Sequence, residues 1–208
     1  MKRALRVAMF LSFAWAAVAI FANFACAQQI DVAVGGSSIF APSASQYFGD
    51  HEPQSLDAGI YPSVSADYLF FRGHFGIQGE FARRWNNSTY LPGFINLPYK
   101  PLFYDFNAIW VSRPIRHRFN VELLGGGGVQ NTRFYLEGCT GSNCYGTSNH
   151  FLADFGGGIK YYAWRHFFVR PEGRFMIIRK NVEFSSDHAV RYGASIGYTF
   201  GGGGTTIR

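Results

Sequence analysis

Residues 188–200 alternate without interruption. Val190, Tyr192, Ala194, Ile196, Tyr198 and Phe200 are apolar, and Ala189, Arg191, Gly193, Ser195, Gly197 and Thr199 between them are small or polar. Successive side chains of a strand point to opposite faces, so this segment has one bulky apolar face and one slim polar face. Few environments accept that pairing. The wall of a barrel with hydrocarbon outside is one of them. The composition agrees: aromatic residues make up 18% of the chain and charged residues only 15%.

The first 27 residues are expected to lie outside the fold. Lys2, Arg3 and Arg6 precede an apolar run from Val7 to about Phe24, and Ala25-Cys26-Ala27 supplies the small residues of a signal-peptidase site. Cleavage after Ala27 leaves a mature barrel over 28–200 and a short tail over 201–208. An uncleaved anchor is disfavoured by the well-placed Ala-x-Ala site. A lipoprotein at Cys26 is disfavoured because no aliphatic residue stands where such a site wants one. Loss of three basic residues lowers the formal net charge from +6 to about +3. The remaining cations are mostly arginines spread along strands and turns, with no dense cluster, so nucleic-acid binding is set aside.

Eight strands are predicted, at 30–39, 58–71, 74–85, 101–112, 118–136, 151–164, 167–180 and 188–200. No mature segment reaches the ~18 consecutive apolar residues of a spanning helix. The connections at 72–73, 113–117 and 165–166 are short. Those at 41–57, 84–99, 137–150 and 181–187 are longer and carry Ser, Asn, Gly and Pro. Short and long links in strict turn predict an all-β, eight-stranded, antiparallel up-and-down transmembrane barrel with two unlike rims. The short turns share Arg and His, as in Arg72-Gly73-His74-Phe75, Arg116-His117-Arg118-Phe119 and Arg165-His166-Phe167-Phe168. Tyr68, Trp85, Trp110, Tyr161, Tyr162, Trp164 and Tyr198 are expected to form interfacial girdles. The competing fold is a soluble lipocalin-like barrel, which turns the same pattern inside out.

The alternation places a set of ionic side chains in the lumen: Asp67, Glu80, Asp105, Glu122, Asp154, Lys160, Arg170, Glu172, Arg174 and Arg191. Both signs occur in near balance. Charges in so narrow a barrel must pair or be wetted, and eight strands leave room for little beyond side chains. A pore gated by the same pairs is the functional alternative. Gly125–Gly128 and Gly156–Gly158 lie in adjacent strands, which implies a sharply curved wall or room for long arginines. No helix follows them and no P-loop pattern is present, so they are not a phosphate cradle. Cys139 and Cys144 are expected to pair and staple a loop in an oxidising compartment. A metal site there would need more ligands than the nearby His150 supplies. No cofactor is implied.

Arg191-x-Gly193-x-x-Ile196-x-Tyr198-x-Phe200 resembles the C-terminal signal that the barrel assembly machinery recognises. The mature chain as a whole resembles the small bacterial outer-membrane β-barrels, similar to the eight-stranded transmembrane domain of outer-membrane protein A. The resemblance implies residence in the cell outer membrane, contact with its lipid and lipopolysaccharide, and insertion by the assembly machinery through Gly193, Ile196, Tyr198 and Phe200. Residues 201–208 are too few for a peptidoglycan-binding domain, so the anchoring role of longer relatives is not carried over. A structural or surface-interaction role through the long loops is the first expectation, with the loop partner open. A narrow, porin-like channel or small-molecule transporter is the second. A lipid-modifying enzyme is the third: the His-x-Ser pattern of lipid A deacylase barrels is absent, and Ser186-Asp187-His188 reads as a polar loop rather than a catalytic set, so no enzymatic activity is expected.

Overall fold

The computed structural model describes residues 29–41, 56, 58–70, 73–90, 97–115, 118–135, 144–180, 184 and 187–201. The signal segment, Cys139, Ser186 and the tail after Gly201 lie outside the described residues. Among the described residues nine strands are present: β1 (Gln29–Phe40), β2 (Tyr61–Phe70), β3 (Phe75–Arg83), β4 (Ser88–Tyr90), β5 (Leu97–Val111), β6 (Phe119–Tyr135), β7 (Tyr145–Trp164), β8 (Phe167–Ile178) and β9 (His188–Gly201). Eight of them close a ring of antiparallel neighbours. β1 pairs with both β2 and β9, and β3 closes the circuit on β5. Closure removes every free sheet edge from the wall, which any lipid-facing backbone requires. The ninth strand, β4, is three residues long and pairs only with β5, at Ser88↔Tyr99 to Tyr90↔Leu97.

Three strand boundaries differ from expectation by three residues or more. β7 begins at Tyr145, not at 151, because its ladder with β6 runs on to Tyr135↔Tyr145. Gly146, Ser148 and Asn149 look like loop in sequence, and the pairing partner overrides that local preference. β5 begins at Leu97 despite Pro98 and Pro101, for the same reason. β2 begins at Tyr61, not at 58. Ala58 and Gly59 both hold positive φ angles of 59° and 88°, which breaks the extended chain ahead of the strand.

The side chains partition as the alternation dictates. Phe106 is 75% exposed, Ile196 62% and Phe155 57%, whereas Arg170, Arg174 and Arg191 are at most 2% exposed. This is the inverse of a soluble barrel. One expectation for a single residue fails. Tyr162 is not a girdle residue: it is fully buried inside the barrel, where its hydroxyl meets Thr199 Oγ1 at 3.2 Å. It follows Tyr161 directly, and neighbours on a strand cannot share a face. Leu102 keeps the outward register of β5 but is buried, flanked by Arg83 and Asn131.

Candidate functional site: a layered lumen

The interior is built in four layers along the barrel axis. At the short-turn end Leu69, Ile109, Val111 and Leu124 form an apolar floor, and Tyr162 packs edge-on against Phe168 beside Ala33. Above it lies a first ionic layer. Lys160 Nζ, fully buried on β7, sits 2.5 Å from Asp31 Oδ2, 2.5 Å from Glu122 Oε1 and 3.9 Å from Asp67 Oδ2. Arg170 on β8 donates to Asp67 Oδ2 at 2.8 Å and to Ser65 Oγ at 2.9 Å, and approaches Glu122 Oε2 at 3.5 Å.

A second ionic layer lies nearer the long loops. Arg174 donates to Glu80 Oε2 at 2.5 Å and to Gln78 Oε1 at 3.0 Å, and stands 3.6 Å from Asp154 and 3.7 Å from Asp105. Arg191 pairs with the other oxygen of Glu80 and stands 3.4 Å from Asp105. Two groups tie the layers together. Gln78 donates to Asp67 Oδ1 at 2.8 Å while it accepts from Arg174. Glu172 reaches Arg170 at 3.3 Å and Arg174 at 3.1 Å. Burying this many charges is tolerable because each faces an opposite charge, although neither carboxylate oxygen of Asp154 nor Oδ1 of Asp105 accepts a hydrogen bond.

All ten charged residues expected in the lumen are thus brought into one network. An eleventh, Asp31, was missed, although Ile30-Asp31-Val32 carries the same alternation that located the rest. Its inclusion corrects the expected balance: seven carboxylates face four cations among the described residues. The carboxylates of Asp31, Asp67 and Glu122 lie close enough together to hold a metal ion. Lys160 Nζ already stands among them as the internal cation. Gly156 leaves room for Arg174, and Gly126 leaves room for Asn107. A Cβ on Gly156 would fall 2.2 Å from Gly173 O and 2.8 Å from Arg174 Cα, and one on Gly126 would fall 2.3 Å from Asn107 Oδ1.

The mouth at the long-loop end is apolar, which the sequence reading did not foresee. Tyr61, Tyr99, Phe103, Leu152, Met176 and Ile178 turn inward from the strands, and Leu56 and Phe184 fold in from the long loops to join them. Phe184 packs on Tyr99 at 5.1 Å and on Tyr90 at 5.8 Å between ring centres. The Arg84 guanidinium lies over the rings of Tyr61 and Tyr99 at 5.9 and 5.7 Å. A strand reverses its inward chemistry from ionic to apolar at its ends, so a reading that sorts each whole strand into one polar and one apolar face cannot see this cap.

The other sequence candidates separate. Asp187 and His188 are exposed, and His188 turns outward to stack on Phe175, while Ser186 lies outside the described residues. Cys144 precedes β7, and Cys139 lies outside the described residues. On β9, Ile196 and Phe200 face outward, Tyr198 packs on Phe167 and Phe200, and Gly193 lies against Ser37 of β1.

No family model matches the sequence, and no curated protein matches it. Solved structures do match in fold. Neisserial surface protein A aligns with a TM-score of 0.57 and 12% identity over 84% of this chain and 97% of that one. The attachment invasion locus protein of Yersinia pestis, in complex with the heparin analogue sucrose octasulfate, aligns with a TM-score of 0.55 and 12% identity, over 83% and 99%. A major outer membrane protein of Thermus thermophilus aligns with a TM-score of 0.55 and 9% identity, over 84% and 100%. The chain therefore has the fold of the small eight-stranded outer-membrane β-barrels.

Proposed function

We propose that this protein is an integral outer-membrane barrel, without catalytic activity, that serves a structural or surface-interaction role through its long-loop end. The observation that carries this reading is the filled lumen. An apolar cap, two cross-linked ionic layers and an apolar floor follow one another along the axis. Such packing favours a rigid post over a conduit. The long-loop end is also where β6 and β7 run on past the β8 ladder, so the contact surface is expected there. On this reading residues 1–27 are removed on export, Cys139 and Cys144 staple the third long loop, and Gly193, Ile196, Tyr198 and Phe200 present β9 to the assembly machinery. Lipid and lipopolysaccharide surround the outer face.

Planar-bilayer recording tests it. The expected result is no steady conductance from the folded protein. Stable conductance that changes when Arg170 or Arg174 is replaced would instead establish the narrow channel. Unaltered lipid A mass spectra in cells lacking the protein are expected, and an altered lipid A would favour the enzyme.

A further inference from the structure

The charge of this chain is distributed unevenly between the two rims. The three short turns and their flanks contain Arg72, Arg113, Arg116, Arg118 and Arg165, together with His74, His117 and His166, and no carboxylate. Arg113, Arg118 and Arg165 are exposed. Seven of the eight described carboxylates are inside the lumen, and the eighth, Asp187, lies at the opposite end. The long loops and their flanks differ: they contain Asp50, Glu52, Asp57, Glu137, Glu183 and Asp187 as well as Arg83, Arg84, Lys100, Arg133, Arg179 and Lys180. Only the short-turn rim carries a field of one sign.

The turns are held as well as charged. His74 O accepts from Val111 N at 2.8 Å, Arg118 O from Tyr162 N at 2.9 Å and His166 O from Thr199 N at 2.9 Å. Each turn is thereby fastened to the next strand, and of the arginines Arg113, Arg118 and Arg165 are placed there. Immediately beside them are exposed aromatic side chains: Trp110, Phe119, and Trp164 stacked on Phe167. Exposed Trp and Phe set the level of the hydrocarbon boundary. The guanidinium groups of Arg113, Arg118 and Arg165 are then level with the phosphates of the adjoining leaflet, and guanidinium matches phosphate in geometry and charge.

We infer that the short-turn rim is a binding surface for the headgroups of anionic phospholipids in the leaflet it borders. The inference rests on the membrane-spanning reading above, and uses the leaflet lipid as its one partner. A cationic rim gains affinity for each arginine near an anionic surface. It also gains discrimination, because zwitterionic headgroups cancel most of that attraction.

The test is native mass spectrometry of the full mature chain, folded in detergent and offered equal amounts of phosphatidylglycerol, phosphatidylethanolamine and phosphatidylcholine. Folding is checked first by the shift between unboiled and boiled samples on a gel. Failure to fold in detergent or vesicles would refute the membrane reading, and with it the inference. For the folded protein, phosphatidylglycerol adducts are expected to be enriched, with roughly five-fold weaker retention for each arginine removed. The triple variant Arg113→Gln, Arg118→Gln, Arg165→Asn is expected to lose the preference. Asn is chosen at 165 because Arg165 has a φ of 41°, which Asn tolerates. The charge-preserving triple Arg113→Lys, Arg118→Lys, Arg165→Lys is expected to keep most of it, as is the opposite-rim triple Arg83→Gln, Arg179→Gln, Lys180→Gln. Equal retention of all three lipids by a folded barrel would overturn the inference alone. So would a preference lost in the opposite-rim triple, or sedimentation with peptidoglycan sacculi that depends on the same arginines while no lipid is preferred.

Discussion

Replacing Lys160 by Met should be among the most damaging single changes to the folded barrel. Met keeps a four-atom stem and removes the ammonium that Asp31, Asp67 and Glu122 share, leaving Arg170 on Asp67 and Glu122 but no ion pair on Asp31 among the described residues. At an effective dielectric of 20, each of the two contacts at 2.5 Å corresponds to an attraction of about 7 kcal/mol. Desolvation of the buried ions offsets several kcal/mol of each. Removing one partner of such a buried set leaves uncompensated charge, which costs about 3–5 kcal/mol. The double variant Lys160→Met, Glu122→Gln removes one of those carboxylates as well. It should be less destabilised than the sum of its two single variants, with a coupling of about 1–3 kcal/mol. The assay is equilibrium urea unfolding in phospholipid vesicles, followed by tryptophan fluorescence and by the gel mobility of unboiled samples. A Lys160→Met barrel within about 0.5 kcal/mol of the parent, the range of an ordinary surface substitution, would refute the assigned role. So would strict additivity in the double variant.

Other substitutions probe the remaining layers. Phe106→Arg on the outward face should cost about 2–4 kcal/mol in vesicles if that position is deep in the bilayer, measured by the same unfolding titration. Gly156→Ala forces a Cβ against the backbone of β8 and should cost about 1–3 kcal/mol, whereas Gly36→Ala, with open space around it, should be near neutral. Phe184→Ala removes a buried ring from the outer cap and should cost about 3–5 kcal/mol. Its planar-bilayer trace should stay silent, because the ionic layers beneath still fill the lumen.

Much of this architecture could be read from alternation alone, for a physical reason. A strand in a lipid-facing barrel has only two environments, hydrocarbon and lumen, so a period of two sorts side chains with little ambiguity. Phe155, Ile196, Arg170 and Arg174 were placed that way. The signal weakened wherever a third environment entered. Phe103, Leu152, Met176 and Ile178 face inward yet are apolar, because at the mouth they join a cluster with Leu56 and Phe184 rather than with ions. Tyr162 was misplaced because two adjacent tyrosines suit a girdle by composition, while geometry permits only one of them to face out. Asp31 is the lone charge of its strand, so no neighbouring charge marks it. The extensions of β5 and β7 depend on long-range pairing partners, which local sequence does not carry. The Lys160 arrangement was legible as a list of residues but not as a constellation, since its partners come from β1, β2 and β6.

The central claim is that the two faces of the wall meet opposite media, and β9 offers the most direct measurement. A nitroxide is placed singly at each position from 189 to 200, in a background with Cys139 and Cys144 replaced by Ser, and the protein is folded into lipid vesicles. Collision rates with dissolved oxygen, which concentrates in hydrocarbon, are then read at each site. The expected result is a period of two, with maxima at Val190, Tyr192, Ala194, Ile196, Tyr198 and Phe200. Maxima at Arg191, Ser195 and Thr199 instead, or a flat profile from a chain that stays in solution without lipid, would contradict it.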